Sequence, residues 1–263
     1  MLRSRRGLFA LAAALAVTVA LPAGASANHS WNGYHWARTA NPFTIKLGDN
    51  VSGPWEAMLA TASSDWSQAT SGNPVRTTVV PGGTRPKPCK ATAGRVEVCS
   101  ASYGNTGWLG VAQIWITNSV HIVQGTVTNN DYYFGSSSYA YNNSAEMQHV
   151  ICQEIGHTFG LDHQSTDGSS QNSCMDYYHN TSASDTQSTH PNSHDYGELA
   201  TIYAHLDSTT TIGSAPASSG SSTGNDASSW GRLVAGSRTS GESVYEQRLN
   251  ASQRVVTFVI WAN

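Results

Sequence analysis

Charged side chains are scarce in this chain of 263 residues, where Asp, Glu, Lys and Arg together make up only 12%. The 17 acidic residues outnumber the 14 basic ones, and three of the basic ones are Arg3, Arg5 and Arg6 at the N-terminus. The basic patches that nucleic acids require are therefore missing, and we expect no nucleic-acid partner. Beyond residues 8–21 there is no extended apolar run, so we also expect no membrane anchor.

The N-terminus is organised like an export signal. Its arginines precede the apolar residues 8–21, and the small residues 25–27 follow them. Cleavage of such a signal after Ala27 leaves a secreted, extracellular protein that begins at Asn28. The arginines fit export of an unfolded chain and also the twin-arginine route, and both routes stay open.

Only four cysteines occur, and all of them follow the predicted signal: Cys89, Cys99, Cys152 and Cys174. An even number of cysteines in an exported chain indicates two disulfides. Three pairings are possible. Proximity in the sequence favours Cys89 with Cys99 and Cys152 with Cys174.

Hydrophobic periodicity predicts one main domain over residues 28–207. Strands are expected at residues 43–47, 75–80, 95–102, 110–117 and 121–128, and helices near 54–66, 144–159 and 195–206. Pro54 suits a first helical turn, and Asn143 or Ser144 suits an N-cap. Residues 208–229 are rich in Ser, Thr, Gly and Ala and are expected to form a flexible linker. A small β-rich tail over residues 230–263 follows, with strands at 232–235, 243–248 and 254–261.

The chemistry is concentrated in the stretch QEIGHTFGLDH, residues 153–163. On a helix, Gln153 and His157 lie one turn apart on the same face, so that both can reach one metal ion. Gly160 can leave the helix with positive φ and bring His163 back as a third ligand. Glu154 lies beside these residues, where it can take a proton from a metal-bound water.

These residues resemble the metzincin motif HExxHxxGxxH, which Glu154, His157, Gly160 and His163 match and Gln153 does not. The clan's methionine turn is similar to residues 174–177, Cys-Met-Asp-Tyr. Tyr177 resembles the tyrosine that astacin-like members bring to the zinc or the oxyanion, and the helix near Asp195 resembles the C-terminal helix of matrixins. The likeness covers residues 43–206.

The resemblance implies an α+β fold: a twisted, mostly parallel sheet with an antiparallel edge strand, an active-site helix, a methionine turn and a C-terminal helix. Residues 110–117 would be the edge strand that aligns an extended peptide. The implied function is that of a monomeric zinc endopeptidase with a protein or peptide substrate. Gln153, His157 and His163 would hold zinc, Glu154 and Tyr177 would act on the substrate, and Met175 would pack beneath the ligands.

Gln153 offers an amide oxygen, which binds zinc less well than an imidazole nitrogen does, so we expect weak zinc binding and altered activity. A disulfide between Cys152 and Cys174 would stiffen the floor of the site and partly offset this weakness. The main alternative is a non-catalytic protein of the same fold that binds peptides or a secreted partner. A role in glycan or cell-wall binding depends only on the tail and its linker.

Five other histidines are expected to have no part in the site. His149 lies about 12 Å along the helix axis from His157, too far for both to bind one ion. For the remaining four a structural or surface role is the simpler interpretation: His121, His179, His190 and His194.

Overall fold

The computed structural model describes residues 29–213 and 224–262. The predicted signal peptide and part of the predicted linker lie outside the described residues. Within the described ranges, none of the helices combines the length and the apolar character that crossing a membrane requires.

Nine strands and four helices make up the described fold. The strands are β1 (His35–Trp36), β2 (Phe43–Asn50), β3 (Val75–Pro81), β4 (Val96–Ala101), β5 (Trp108–Thr117), β6 (His121–Asn130), β7 (Arg232–Ser237), β8 (Glu242–Arg248) and β9 (Gln253–Trp261). The helices are α1 (Pro54–Trp66), α2 (Asp131–Phe134), α3 (Ser144–His157) and α4 (Ser193–Ile202). The predicted strands and helices are all present, with small shifts of their ends.

All nine strands form one sheet, in the order β3-β2-β4-β6-β5-β9-β8-β7, and β1 pairs with β6. Strands β3, β2, β4 and β6 run parallel, whereas β5 and the three strands beyond it run antiparallel to their neighbours. The chain therefore has the predicted mixed fold, with a mostly parallel sheet in its first part and few helices.

The prediction that residues 110–117 form an edge strand is wrong. Strand β9 pairs with β5 from Trp108 to Thr117, so β5 lies inside the sheet. Residues 255–261 of β9 are buried, and an aromatic cluster of Trp108, Trp230 and Trp261 packs over this junction. An unpaired row of backbone groups is an open template for another strand, and here the chain's own tail takes that place.

Both ends of the predicted linker are held against the rest of the chain. The Thr211 amide donates to the carbonyl of Ala37, and the Trp108 indole donates to the carbonyl of Asn225 at 3.1 Å. A short 3-10 helix, Ala227–Ser229, precedes β7. The tail is thus a continuation of the main sheet, because its apolar strands find partners there that a segment of about 35 residues cannot provide alone.

Local signals explain where the long helices begin. Pro54 opens α1, and the Asn143 side chain accepts from the Glu146 amide at the start of α3. Asn192 and Asp195 form a capping box at α4. Residues 145–157 of α3 are all buried, which places this helix in the core against the sheet.

Candidate metal centre

Helix α3 and the turn after it bring two histidines together. Gly160 adopts φ 95°, and a Cβ atom there would collide with the carbonyl oxygen of Tyr34, so only glycine fits this exit from the helix. The His157 and His163 rings consequently meet with their centroids 4.5 Å apart. The turn at Gly160 thus brings His163 back beside His157.

In each of the two rings, Nδ1 contacts an oxygen atom of the protein. Nε2 is therefore the nitrogen that could bind a metal ion. His157 Nδ1 lies 2.9 Å from the Leu161 carbonyl oxygen, and because a carbonyl only accepts, Nδ1 carries the proton. His163 Nδ1 lies 3.1 Å from Asp162 Oδ1. Such contacts orient metal-binding histidines and select their tautomer.

The third member of the cluster is Glu242, the first residue of β8. One ligand atom from each of His157, His163 and Glu242 lies within 4.8 Å of the others, and all three residues are buried. The Glu242 carboxylate is in direct contact with His163 Nε2. Sequence analysis missed Glu242, since it belongs to no motif and only the pairing of the tail with the main sheet brings it here.

Gln153 lies behind Glu242. Its amide nitrogen donates to the Asp176 carbonyl oxygen at 3.0 Å and to Glu242 Oε1 at 3.1 Å. Both partners are acceptors, so the end of the Gln153 side chain that faces them is its NH₂ group. An NH₂ group donates hydrogen bonds and does not bind cations. In this arrangement the Gln153 side chain holds the Glu242 carboxylate in place.

Glu154 is buried beneath the same part of the sheet. A Cβ atom at position 110 would lie 2.9 Å from Glu154 Oε1, so Gly110 of β5 leaves room for this carboxyl group. Burial and the neighbouring Glu242 carboxylate raise the pKa of Glu154 well above its usual value. Burial also lowers the pKa of His157, and His163 lowers it further.

Two buried polar atoms at this centre have no hydrogen-bond partner within the described ranges, Gln153 Oε1 and Glu154 Oε2, while His163 Nε2 and Glu242 Oε2 face each other. Burial opposes a positive charge on His163, yet Glu242 and Asp162 raise its pKa to about 10. Two imidazoles and a carboxylate that converge on one buried point are ligand types that divalent cations bind in proteins. The donor set therefore fits a divalent metal ion.

Both predicted disulfides are present. Cys152 is bonded to Cys174, which ties α3 to the methionine turn, and Cys89 is bonded to Cys99. A Cβ atom at Gly156 would lie 2.5 Å from Met175 Sδ, so Met175 packs directly against the helix that carries His157. Two disulfides of this kind are typical of oxidising compartments.

Tyr177 packs edge-on against the His163 ring, with their centroids 4.4 Å apart. It lines a cavity of about 260 Å³ together with Trp31, His163 and Ser240. Burial raises the pKa of the Tyr177 hydroxyl, which therefore stays protonated and able to donate.

The tail covers the rest of the centre. The Phe258 ring of β9 stacks on His157 with centroids 4.1 Å apart and planes inclined by 7°. Because β9 also pairs along β5, a peptide cannot add to β5 in this conformation. Strand β8, which is next to β9, supplies Glu242. The C-terminal tail therefore provides both the Phe258 ring that covers His157 and the carboxylate of the cluster.

The remaining histidines lie elsewhere. His149 is buried beside Glu146, His179 contacts Glu146 at 2.7 Å, His190 contacts Asp65 at 2.6 Å, and His194 stacks on His29. His121 contacts Asp207 at 3.1 Å, in a second group of histidines. None of these five belongs to the cluster of His157, His163 and Glu242.

No protein-family model matches this sequence, and no curated protein matches it either. Two solved structures of myroilysin are similar in part. One is 12% identical with a TM-score of 0.38 and covers 68% of this chain and 99% of its own. The other is 11% identical with a TM-score of 0.34 and covers 70% of this chain and 89% of its own.

Proposed function

We propose that this chain is a latent zinc-dependent endopeptidase, held closed by its own C-terminal tail. The observation that carries the proposal is the meeting of His157, His163 and Glu242 at one buried point, with Glu154 beside them. In a tetrahedral zinc site with two histidines and one carboxylate, a fourth position stays open for water or substrate. The metzincin-like motif and the methionine turn support the same assignment.

In the closed form, His157, His163 and Glu242 would hold the ion, and the ligand role first predicted for Gln153 passes to Glu242. Gln153 instead orients that carboxylate through its amide nitrogen. Zinc bound there would acidify a water molecule and polarise a carbonyl group. The Gln153 interaction with Asp176 fixes the amide from the other side.

Hydrolysis requires a base and a donor beside the reacting carbonyl group. Glu154 would accept a proton on its carboxylate and later deliver it to the leaving amine. Tyr177 would donate its hydroxyl proton in a hydrogen bond to the developing oxyanion. Met175 and the Cys152–Cys174 disulfide would keep the helix that carries His157 from shifting.

Access to the centre is the step that the tail controls. Peptide alignment by β5 needs the backbone groups that β9 now occupies. The Phe258 ring lies on His157, and Glu242 occupies a position beside His163. Opening therefore has to displace β9 and Glu242 together, after which Gln153, His157 and His163 would be the remaining ligand candidates.

The experiment is a peptidase assay before and after the tail is freed. A cleavage site for a specific protease replaces part of residues 214–223, and the full chain is loaded with zinc, cut and assayed on an unfolded protein substrate. We expect little activity before the cut and more activity once the tail dissociates. The same chain with Glu154→Gln should bind zinc, release its tail and remain inactive.

A second candidate is a non-catalytic metal-binding protein of the same fold. The observation that favours it is the depth of β9 in the sheet, where Trp108, Trp230 and Trp261 pack around it. This candidate predicts that the intact chain binds zinc and that the cut chain remains inactive after its tail, with Glu242, has been removed. Release of the tail without any gain in activity would therefore decide against the peptidase.

A further inference from the structure

A second group of histidines lies where β1, β6 and the segment after α4 meet. His35 of β1 is paired in register with His121, the first residue of β6. His205 and Asp207 follow α4, and the Asp207 amide donates to the Arg38 carbonyl oxygen at 2.9 Å. Three segments distant in sequence thus deliver three imidazoles and one carboxylate to one place.

One ligand atom from each of His35, His121 and Asp207 lies within 4.8 Å of the other two, and His205 approaches two of them. His121 Nε2 lies 3.1 Å from Asp207 Oδ1, and His35 Nε2 lies 3.5 Å from the same oxygen. His205 Nε2 lies 3.2 Å from His35 Nε2 and 3.8 Å from Asp207 Oδ1. Ligands about 2.0–2.2 Å from a tetrahedral zinc ion lie roughly 3.3–3.6 Å from one another.

The contacts of His35 and Asp207 outside the cluster also suit a cation. His35 Nδ1 lies 2.7 Å from the Gly33 carbonyl oxygen, so Nδ1 carries the proton and a neutral ring turns the lone pair of Nε2 inward. Asp207 Oδ2 accepts from the Arg38 backbone at 3.1 Å and from its guanidinium at 2.9 Å, which leaves Oδ1 for the cluster. A neutral imidazole whose Nδ1–H is held by a carbonyl oxygen is the form that binds a metal ion through Nε2.

We propose that His35, His121, His205 and Asp207 form a second, structural zinc site. Three nitrogen ligands and one oxygen ligand complete a tetrahedral shell, and a closed shell of this kind has no position for a substrate. The site joins the start of the described chain to the segment that leaves α4. It shares no residue with the centre formed by His157, His163 and Glu242 and does not depend on the proposed peptidase activity.

The site has an entrance, because the His205 side chain is 53% exposed and that of His121 is 22% exposed. Both can be replaced with little effect on the core. His190 is a matched control, since its side chain is 55% exposed and it also contacts a carboxylate, that of Asp65. Its substitution removes a surface imidazole without touching the cluster.

The test is metal analysis of the full chain after zinc loading and removal of excess ion. We expect the variant His121→Asn/His205→Asn to hold one zinc ion fewer per chain than the parent, and His190→Asn to hold as many as the parent. Far-ultraviolet circular dichroism checks that each variant is folded. Equal zinc content in the parent and the folded double variant would overturn the proposal.

A second readout separates specific binding from loss of surface histidines. Cobalt(II) in a tetrahedral site gives intense visible absorption, and the double variant should lose the part that the second site contributes. Zinc should raise the unfolding temperature of a His163→Asn chain, which retains the second site, and this rise should disappear when His121 and His205 are also replaced. A rise that persists in the combined variant would contradict the assignment.

Discussion

The amide nitrogen of Gln153 lies 3.1 Å from Glu242 Oε1 and joins a residue of the central helix to a residue of the C-terminal tail. Position 153 is where the metzincin motif has a histidine. In the proposed closed form, the glutamine at this position supports the Glu242 carboxylate as the third ligand. The departure from the motif and the position of the tail are therefore two parts of one arrangement.

Loss of this support should weaken metal binding at the centre. We expect Gln153→Ala to lower zinc affinity about 10- to 100-fold, the usual effect of removing a group that orients a ligand. Competition with a chromogenic chelator measures the affinity. Gln148→Ala, a change at another buried glutamine of α3, serves as control and should leave the affinity near that of the parent.

Glu154 should matter for catalysis and not for metal binding. In the cut chain freed of its tail, we expect Glu154→Gln to reduce the rate of peptide hydrolysis by a factor of at least about 10². Zinc content should be unchanged. An equal rate in the parent and in the variant would exclude Glu154 as the base.

The buried group of Glu146, His149 and His179 predicts a pH-dependent stability. Burial alone would raise the pKa of Glu146, but the nearby His149 imidazole and the hydrogen bond with His179 lower it to about 2. Burial alone would lower the pKa of His179, yet the hydrogen bond with Glu146 raises it. The Glu146 carboxylate stabilises the folded protein fully above its usual pKa, and this stabilisation is lost as the pH falls toward 2. The charged His179 imidazole stabilises the folded protein fully below its usual pKa, and this stabilisation is lost as the pH rises through its raised pKa.

Both groups therefore stabilise the fold fully only between the usual pKa of glutamate and that of histidine, roughly pH 4.5 to 6.5. We expect Glu146→Gln to lower the free energy of unfolding by about 3 kcal/mol at pH 5.5, as loss of one partner in a buried pair does. The loss should be smaller at pH 9. Urea denaturation at both pH values measures it, and a loss that is the same at both would contradict the role of His179.

The two disulfides should differ in their effect on the metal centre. Each closes a short loop, with sequence separations of 22 for Cys152–Cys174 and 10 for Cys89–Cys99. Replacing either pair by alanine should cost about 3 kcal/mol of stability. Only loss of Cys152–Cys174 should also lower zinc affinity, because it joins α3 to the methionine turn. Equal zinc affinities in the two variants would show that this link does not support the centre.

Gly156 and Gly197 allow a matched comparison of packing, because both lie inside helices. A Cβ atom at Gly156 would lie 2.5 Å from Met175 Sδ and 2.7 Å from the Trp66 ring, whereas nothing lies within 4 Å of one at Gly197. We expect Gly156→Ala to destabilise the protein by about 1–3 kcal/mol. Gly197→Ala should stabilise it by about 0.5–1 kcal/mol. Thermal unfolding of the two variants decides the comparison.

Much of the architecture was predictable from local patterns. The apolar spacing and the capping residues determined α1, α3 and α4, since helix formation depends on residues three and four positions apart. The spacing of His157, Gly160 and His163 determined that two imidazoles meet, because helix geometry and one left-handed residue define their relative positions. The nearest cysteines in sequence formed both disulfides.

Contacts between distant segments were decided only in the tertiary structure. The three strands of the tail were visible in the sequence, but their pairing with β5 was not, since alternation of apolar residues does not name the partner strand. This pairing determines that Glu242 reaches His163 and that Phe258 covers His157. The group of His35, His121, His205 and Asp207 likewise exists only because β1, β6 and the segment after α4 meet in space.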